Sequence, residues 1–338
     1  MADVLDDQNE NDQNDQNKHD RSNKSKVQPE FIYKYDQFRD TDRMPYSKVL
    51  DPSCTFVSKN IHMGQLKLLM TEIMFLSKKA KPHNKVIYVG AAPGYHIIKL
   101  IVLFPDLTFE LWDKREFDIK EGPRCKIYRR YFEDKDAQMY SKEGPNILFM
   151  SDIRSLEFNR VEEQNDSIIM ADNNMQSTWA KIIRPISAYL KFRTPYGDGV
   201  TSYLTGTIYL QCYAPLSAET RLMTNDYDTI VEYNNVEFDE KMSYFNCRIR
   251  GDDSRLRRWR SIMSKHNIKN NWDNNAAFYI LSLYLHKMRG VTGKTTKSNN
   301  DNDNDNDEEA EQIVKLFDEI IKFFRDKYHK KYDYVYRS

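Results

Sequence analysis

The sequence of 338 residues has little cysteine, little glycine and no net charge. Lys plus Arg and Asp plus Glu both total 51, so the overall charge favours no class of partner. A nucleic-acid surface would therefore have to come from local clusters of basic residues. No apolar run approaches the ~20 residues that span a bilayer, so we expect a soluble protein without a membrane partner.

The cysteines are few and lie far apart. Cys54, Cys125, Cys212 and Cys247 form no C-x-x-C pair, and no His/Cys cluster has the spacing of a zinc site. The sequence also shows no signal-peptide pattern. We therefore expect reduced thiols in an intracellular protein that holds no metal.

Two polar tracts divide the chain. Residues 1–27 and 293–309 are rich in Asn and Asp and nearly devoid of apolar side chains, so they cannot offset chain entropy by burial. We predict a disordered tail at 1–27, a main domain at 28–292, a disordered linker at 293–309 and a C-terminal helix at 310–338. The apolar stripe of that helix indicates packing on the core or, because a linker precedes it, a separable interaction helix.

Between the tracts, helical and strand patterns alternate. Apolar residues recur at helical spacing in 64–79, 95–104, 174–189, 274–287 and 308–328. Short apolar or β-branched runs predict strands at 85–90, 107–112, 146–150, 190–193 and 206–213. Strands separated by helices predict an α/β fold with a mostly parallel central sheet and helices on both faces.

The first segment that suggests a ligand is KVIYVGAAPGYH, residues 85–96. A buried strand runs into a turn that begins at Gly90 and ends at Gly94, and a helix follows. Small residues let the backbone approach a ligand closely, and a helix N-terminus offers free N–H groups. The same turn also occurs as plain architecture, so by itself it does not establish a binding site.

Asp113 strengthens the prediction of a cofactor site. It lies 23 residues after Gly90, at the end of the next predicted strand. A carboxylate there is placed to accept hydrogen bonds from a ribose diol, although it could also be an exposed strand-end charge. The phosphate-binding pattern G-x-G-x-x-G is missing. Its absence disfavours a pyrophosphate ligand and favours S-adenosylmethionine, which has no phosphate.

Four charged residues follow strands or lie on the early helix. Lys67 is helical, Asp152 ends a predicted strand, Lys191 lies within one, and Glu219 follows an Ala-Pro turn. In a doubly wound sheet these elements can bring the four side chains together at one edge. The alternative for each residue alone is a solvated surface charge.

The order Lys–Asp–Lys–Glu around a strand–G-x-x-P-G turn resembles the 2′-O-ribose methyltransferases of the FtsJ-like superfamily. The local sequence is more similar to poxvirus cap-specific 2′-O-methyltransferases, which also serve as the small, processivity-promoting subunit of the viral poly(A) polymerase. GQLKLL, G-x-APG-x-H, SD-x-R-S, LK-x-R-x-P and AP-x-SAE-x-RL recur in the same order. The similarity covers residues 64–242 and continues more weakly to 287.

The resemblance implies a Rossmann-like, S-adenosylmethionine-dependent methyltransferase. Its expected reaction is methylation of the ribose 2′-hydroxyl at the first transcribed nucleotide of capped mRNA, with a poly(A) polymerase catalytic subunit as a further partner. The Asn/Asp-rich tracts suggest a giant DNA virus as the source. Such a source would place the protein in the virion or the host cytoplasm. The expected catalytic residues are Lys67, Asp152, Lys191 and Glu219.

Lys191 is the expected centre of the chemistry. A lysine can act as a general base only if its pKa falls toward ~7–8, which a second ammonium promotes and carboxylates oppose. Lys191 is therefore either the base or the group that stabilises the alkoxide, with the other three residues holding and tuning it.

The resemblance also implies a cofactor pocket. Its expected residues are Gln65, Gly90, Gly94, His96, Asp113, Arg115, Phe132 and Asp152. Arg115 and Phe132 are looser matches than the others. His96 has an alternative role, that of a polar residue at the start of a helix facing solvent.

A cap pocket should bind the positively charged 7-methylguanine between aromatic faces, with carboxylates accepting from its N–H groups. The family positions correspond to Tyr196, Asp198, Asp239 or Glu240, and Tyr46. Tyr33 and Tyr35 compete with Tyr46 for the second aromatic face. All these tyrosines could instead be amphipathic surface residues.

The chain departs from the family pattern at Leu216, which replaces an aromatic residue in an element one residue shorter. The departure implies weaker or different guanine binding. It leaves open a methyltransferase of internal RNA, such as ribosomal RNA, and a non-enzymatic scaffold of a poly(A) polymerase.

Two basic stretches are candidates for tracking RNA phosphates. The first contains Lys120, Arg124, Lys126, Arg129 and Arg130; the second contains Arg248, Arg250, Arg255, Arg257, Arg258, Arg260 and Lys265. The second also contains Trp259, and a positive strip with an aromatic suits single-stranded RNA. The alternative is a solvated, salt-bridged helix face.

Overall fold

The computed structural model describes residues 33–45, 63–153, 155, 162–251, 254–291, 303–328 and 335–336. Tyr46, Cys54 and the tail predicted at 1–27 lie outside the described residues. Most of the linker predicted at 293–309 also lies outside them. Cys125, Cys212 and Cys247 are buried free thiols.

Strands and helices alternate along the described chain. The strands are β1 (Lys85–Val89), β2 (Thr108–Trp112), β3 (Cys125–Tyr128), β4 (Ile147–Ser151), β5 (Ser187–Phe192), β6 (Val200–Leu204), β7 (Thr207–Tyr209), β8 (Thr220–Thr224) and β9 (Ile230–Asn234). The helices are α1 (Gly64–Lys79), α2 (Tyr95–Leu103), α3 (Asp134–Tyr140), α4 (Glu162–Ile183), α5 (Asn235–Tyr244), α6 (Arg260–Lys265), α7 (Trp272–Val291) and α8 (Asp303–Tyr328).

The central sheet has the strand order β3-β2-β1-β4-β5-β8-β7. The strands β3, β2, β1, β4 and β5 are parallel; at the other edge β8 pairs antiparallel with β5, and β7 pairs antiparallel with β8. Strands β6 and β9 form a separate antiparallel pair. The α/β prediction, a mostly parallel Rossmann-like sheet covered by helices, is therefore confirmed.

The strand order places a crevice at the carboxyl ends of β1 and β4. From β1 the chain crosses through α2 to one side of the sheet, and from β4 it crosses through α4 to the other. Because such crossovers are right-handed, the two helices cover opposite faces of the sheet. The direction in which successive strands are added to the sheet therefore reverses between β1 and β4. Ligands of open α/β sheets bind at this reversal.

One helix prediction was wrong at its C-terminal end. The helix expected over 174–189 ends at Ile183, and Ser187–Phe192 forms β5. Arg184 adopts a left-handed φ of 48° and Pro185 follows it, so the backbone cannot continue as a helix. The strand expected over 206–213 shortens to Thr207–Tyr209, because Tyr213 also has a left-handed φ of 58°.

The C-terminal helix packs on the body of the protein. Helix α8 begins at Asp303, earlier than the boundary set at 310, and acidic residues stabilise a helix N-terminus. Ile313, Phe317, Ile320, Ile321 and Phe324 are fully buried. The ring of Phe323 also stacks on Tyr95 of α2, with centroids 4.6 Å apart. None of the helices in the described residues is long and apolar enough to cross a membrane.

Candidate active site

The glycine turn after β1 packs directly on the end of β4. Gly90 has a φ of +80°, and a Cβ there would lie 2.7 Å from the carbonyl carbon of Asp152. The amide of Asp152 in turn donates to the carbonyl of Val89 at 2.9 Å. Gly94, with a φ of +70°, is the N-cap of α2. Both glycines are thus required by backbone geometry, and the turn leads α2 away from the sheet edge.

Asp113 is held against this turn by two sets of hydrogen bonds. Its Oδ2 accepts from the amide of Ala92 at 3.2 Å and from Arg115 Nη2 at 2.7 Å. The Arg115 guanidinium also donates to the carbonyl of Ala92 at 2.9 Å. The ion pair with Asp113 raises the pKa of Arg115. The structure therefore brings together Asp113, Arg115 and the glycine turn, as expected for a cofactor site.

Gln65 and His96 are joined to a buried carboxylate that sequence reasoning missed. Gln65 Oε1 lies 2.9 Å from His96 Nδ1 and accepts from the His96 amide at 3.1 Å. His96 Nε2 lies 3.0 Å from Glu72 Oε1, which also accepts from Tyr88 Oη at 2.6 Å. His96 is only 1% exposed, so its solvent-facing alternative is wrong. Glu72 lies on the apolar face of α1, where helical periodicity predicts a core residue.

Phe132 is more deeply buried than a ligand-stacking ring would be. It is packed edge-on against Trp112 and Trp179, with centroids 5.0 and 5.1 Å apart. Only 6% of the residue is exposed.

The four residues predicted to be catalytic form one ion-paired cluster. Lys67 Nζ lies 2.6 Å from Glu219 Oε1. Lys191 Nζ lies 3.2 Å from Glu219 Oε2 and 3.4 Å from Asp152 Oδ1. They come from α1, the end of β4, β5 and the residue before β8, so the sheet topology alone accounts for their meeting.

A fifth charged residue, Arg221, completes this catalytic cluster. Its Nη2 lies 2.8 Å from Asp152 Oδ1 and 3.8 Å from Glu219 Oε1, and its Nε donates to Gln211 at 2.9 Å. Arg221 is fully buried in β8. Arg221 was not predicted as a site residue, although it is the arginine of AP-x-SAE-x-RL, and its segment TRLMT was not predicted as a strand. With Arg221, the catalytic cluster holds three cations and two carboxylates.

Burial and charge shift the pKa values of this cluster in consistent directions. Burial lowers the pKa of Lys67. The nearby cations Arg221 and Lys191 lower this pKa further, whereas the two carboxylates raise it. Burial alone would raise the pKa of Asp152, but Lys191, Arg221 and Lys67 together hold it well below its ordinary value. The pKa of Arg221 is raised by the carboxylates despite its burial. Asp152 is thus held as an anion by the cations around it.

Lys191, rather than Lys67, lines a cavity, although its Nζ atom is buried and makes no hydrogen bond among the described residues. Its side chain is 13% exposed, against 6% for Lys67. A cavity of about 250 Å³ lies beside it, lined among others by Asp172, Gln176, Arg193, Ser217 and Glu219. The Gln176 side chain donates to the carbonyl of Lys191, and Asn173 donates to that of Arg193 at 3.0 Å. Helix α4 thereby holds the end of β5 in place beneath the cavity.

Arg193 links this cavity to the residues expected to bind a cap. Its guanidinium carbon lies 3.9 Å from the ring centroid of Tyr196, and Nη1 donates to Tyr196 Oη at 2.8 Å. Asp239 Oδ1 is 3.9 Å from Arg193 Nη2. Burial raises the pKa of Asp239 to about 6, with Arg193 opposing. Arg193 was not predicted as a site residue, although it lies two residues after Lys191 in LK-x-R-x-P.

The ambiguity between Asp239 and Glu240 has a structural answer. Glu240 Oε2 accepts from Arg43 Nε at 2.7 Å, on another side of α5. Asp239 is 5% exposed and faces the Arg193–Tyr196 pair. Asp198 is exposed in the loop after Tyr196. Asp239 is therefore the carboxylate placed beside the candidate aromatic face.

The N-terminal tyrosines are engaged differently from one another. Tyr46 lies outside the described residues, but the amide of Met44 donates to the Glu240 carbonyl at 3.1 Å, so the chain reaches α5 just before it. The ring of Tyr35 stacks on Phe238, with centroids 4.8 Å apart. The ring of Tyr33 packs on Tyr279, also at 4.8 Å.

The two basic stretches both combine internal contacts with exposed side chains. In the first, Arg124 donates to carbonyls at the end of α2, Arg129 pairs with Glu116, and Arg130 pairs with Asp136 at 2.6 Å. In the second, Arg250 is buried against Asp273, and Lys265 pairs with Glu311. Arg255, Arg257, Arg258 and Arg260 are exposed. The second stretch therefore presents a run of arginines at the surface.

A family model described as poly A polymerase regulatory subunit matches residues 28–323. A fowlpox virus (strain NVSL) protein named cap-specific mRNA (nucleoside-2′-O-)-methyltransferase is 31% identical over 231 residues, covering 61% of this chain and 72% of its own length. A myxoma virus (strain Lausanne) protein of the same name is 30% identical over 211 residues, covering 56% of this chain and 62% of its own length. The solved structure of bluetongue virus VP4 overlaps 60% of this chain and 33% of that chain, with a TM-score of 0.40 and 12% identity.

Proposed function

Because the chain belongs to the poly(A) polymerase regulatory subunit family, we propose that it methylates the ribose 2′-hydroxyl at the first transcribed nucleotide of capped mRNA. The similarity to poxvirus proteins named cap-specific mRNA (nucleoside-2′-O-)-methyltransferase supports this reaction. The observation that carries it is the ion-paired cluster of Lys67, Asp152, Lys191 and Glu219 beside an open cavity. A purely structural protein would have no use for so many buried charges, since each is costly to desolvate.

The proposed methyl donor is S-adenosylmethionine, which supplies an electrophilic sulfonium methyl group. The residues present suit it. Asp113 ends β2 next to the glycine turn, where a carboxylate can accept from a ribose diol. Gln65, Gly90, Gly94, His96, Arg115 and Phe132 surround the same strand ends, and the turn offers no phosphate cradle. Asp152 lies between this site and the catalytic cluster, packed against Gly90.

The chain's own contribution to the chemistry is to hold the attacking hydroxyl and manage its proton. Lys191 lines the cavity, and its Nζ is buried without a hydrogen-bond partner among the described residues, so we assign the contact with the 2′-oxygen to it. Asp152 and Glu219 fix the ammonium by ion pairs, and Lys67 and Arg221 fix those carboxylates in turn. Cations of the catalytic cluster can stabilise negative charge as it develops on that oxygen. Lys191 thus acts as proton acceptor or as electrostatic clamp at the same position.

Cap binding is proposed at Tyr196, Asp198 and Asp239, with Tyr46 as the second aromatic face. The Arg193 guanidinium stacks on the Tyr196 ring, which supports a role for that ring in binding a planar cation such as 7-methylguanine. Asp239, ionised above its pKa of about 6, would neutralise that charge. Leu216 stands where the family has an aromatic residue, so we expect the cap to depend mainly on the Tyr196 side.

A poly(A) polymerase catalytic subunit is the proposed protein partner, on the strength of the family match. We place both roles in the infected cell, where viral mRNA is capped and tailed, because the relatives are viral proteins. Copurification of the full chain with its own polymerase, and longer tails in its presence, would support this second role.

The methylation proposal is tested with labelled S-adenosylmethionine and one short RNA, either capped with an unmethylated first ribose or uncapped. We expect transfer to the capped RNA alone, and a loss of at least about 100-fold in Lys191→Met with cofactor binding retained. Equal transfer to both RNAs would favour an internal-RNA enzyme. Cofactor binding without transfer to either RNA would favour the scaffold role.

A further inference from the structure

A second cavity, also of about 250 Å³, lies between Tyr33, the segment before α6, and helix α7. Its lining shares no residue with that of the active-site cavity. Its size is just below the roughly 300–1,000 Å³ of pockets that enclose whole small molecules. A flat group such as a single nucleobase would suit it better than a complete dinucleotide.

Three of the seven residues that line this second cavity are aromatic. Tyr33 and Tyr279 pack with centroids 4.8 Å apart, and their hydroxyls are 3.2 Å apart. Trp259 forms another wall and is 8% exposed. Tyr33 and Tyr279 are half-buried, so part of each ring remains accessible. Three aromatic rings around one opening provide stacking surfaces rather than a purely apolar hole.

The rim of the second cavity is positively charged. Arg257 and Arg258 line it and are exposed, and the Arg258 guanidinium lies 4.3 Å from the Trp259 ring centroid. Residues 254–272 contain Arg255, Arg257, Arg258, Arg260, Lys265 and Lys269, and no Asp or Glu. On the opposite side, Lys34 Nζ lies 5.3 Å from the Tyr33 ring centroid. Such a one-sided concentration of charge attracts a polyanion.

We propose that this second cavity binds one base of single-stranded RNA, stacked on its aromatic walls, while Arg257 and Arg258 hold the flanking phosphates. Aromatic platforms combined with cations along a groove are how proteins bind single strands without reading their sequence. An acidic peptide would use the arginines but would leave the three rings without a function. The inference rests on the proposed function, because it assigns the bound strand to the RNA substrate.

The test uses the full chain and a labelled, uncapped RNA of about 12 nucleotides, with affinity measured by fluorescence anisotropy over a salt series. Arg257→Ala/Arg258→Ala removes the two cations that would face the phosphates, and Tyr279→Leu removes a stacking ring. Tyr279→Phe keeps the ring and lacks only the hydroxyl that meets Tyr33. Lys181→Ala/Arg184→Ala is the matched control, since it removes two exposed charges at the C-terminal end of α4 that do not line the second cavity.

We expect Tyr279→Leu to weaken RNA binding by at least about fivefold, the lower end of what stacking on one aromatic ring contributes, while Tyr279→Phe binds like wild type. The arginine variant should also lower the salt slope by about 0.7 for each phosphate that is no longer neutralised. The control should change neither value. Folding of each variant is checked by its binding of S-adenosylmethionine.

Unchanged RNA affinity in both Arg257→Ala/Arg258→Ala and Tyr279→Leu, with normal methyl transfer, would overturn this inference and leave the proposed function intact. Failure of the wild type both to bind RNA and to methylate it would overturn the two together. If the arginine variant loses only binding of a polyglutamate peptide, the cavity serves an acidic protein partner and the RNA assignment is wrong.

Discussion

The two ends of the active-site crevice are built in different ways. At the catalytic end, Lys67, Asp152, Lys191 and Glu219 are fixed on sheet strands or on α1 and joined by ion pairs of 2.6–3.4 Å. At the cap end, Tyr196 and Asp198 lie in a loop, and the charge contact between Arg193 and Asp239 is 3.9 Å long. The catalytic end is preorganised, whereas the cap end depends on loops.

The difference fits the separate tasks proposed for the two ends. Charge that develops on a reacting oxygen is stabilised best by groups that are already in place, because they need no reorganisation. Recognition of a flat cation can be shared among several loop residues and can vary more readily. This accounts for a chain that keeps all four catalytic residues of the family pattern yet carries Leu216 in place of an aromatic.

The largest effect should come from Arg221→Met, which removes the buried cation of the catalytic cluster. Asp152 and Glu219 would then lose a fully buried partner. Leaving one member of a buried ion pair uncompensated costs about 3–5 kcal/mol. We expect that decrease in the free energy of unfolding, measured by denaturant titration at pH 7.5, together with a loss of methyl transfer.

Arg184→Met is the matched control for that experiment. Arg184 also pairs with an aspartate, Asp228 at 2.6 Å, but both side chains are largely exposed. Exposed pairs contribute little because water screens them. No measurable change is expected. Equal destabilisation by the two variants would show that the ion pairs of Arg221 contribute no more to stability than the exposed pair of Arg184 and Asp228.

The catalytic end could be predicted in large part from the sequence. Lys67, Asp152, Lys191 and Glu219 were expected to meet because parallel strand ends share one edge, and the ion-pair distances bring them together. Arg221 could not be predicted in the same way. Arginine is rarely buried, and the strand that holds it pairs with a partner distant in sequence.

The cap end was less predictable for a physical reason. Helical or strand periodicity says nothing about a loop, so neither the stacking of Arg193 on Tyr196 nor the separation of Asp239 from Glu240 followed from the pattern. The β6–β9 pair was missed as well, since its alternation is polar and its exposed residues resemble a loop. The choice of Tyr46 stays a prediction, since Tyr46 is not among the described residues.

A smaller and pH-dependent effect is expected from Asp239→Asn at the cap end. The pKa of Asp239 is raised to about 6, so the group is ionised at pH 7.5 and protonated at pH 5. In the wild type, the KM for capped RNA should therefore rise as the pH falls through about 6. The variant should show a KM raised roughly tenfold and independent of pH, since a hydrogen bond to a charged group contributes about 1.5–3 kcal/mol.

Asp239→Asn should also change how the free energy of unfolding depends on pH. In the wild type, a rising pH should favour cap binding through Asp239 but lower the free energy of unfolding. Because the folded-state pKa of Asp239 lies above its ordinary value of 3.8, its contribution to stability is present at low pH and lost as the pH rises through about 6. Asp239→Asn should remove that loss. The free energy of unfolding should therefore differ less between pH 5 and pH 7.5 in the variant than in the wild type. A variant with unchanged pH dependence in both measurements would place Asp239 outside the cap pocket.

The smallest effect should come from Glu72→Gln, on the cofactor side of the preorganised end. Glu72 holds His96 at 3.0 Å and Tyr88 at 2.6 Å, and His96 in turn holds Gln65. An amide keeps the shape but weakens these charge-assisted bonds. We expect a KM for S-adenosylmethionine raised about three- to tenfold, from roughly 1 kcal/mol of lost orientation, with kcat and the KM for capped RNA unchanged.

Glu110→Gln separates this positioning role from a general effect of a buried charge. Glu110 is also buried and accepts from two tyrosines, Tyr128 at 3.2 Å and Tyr140, but none of its contacts reaches Gln65 or His96. Both variants should lose some stability, and only Glu72→Gln should raise the cofactor KM. Glu72 does not act through the cofactor pocket if both variants raise the KM for S-adenosylmethionine equally, or if Glu72→Gln lowers kcat instead. In that case the preorganised end of the crevice is limited to the ion-paired catalytic cluster.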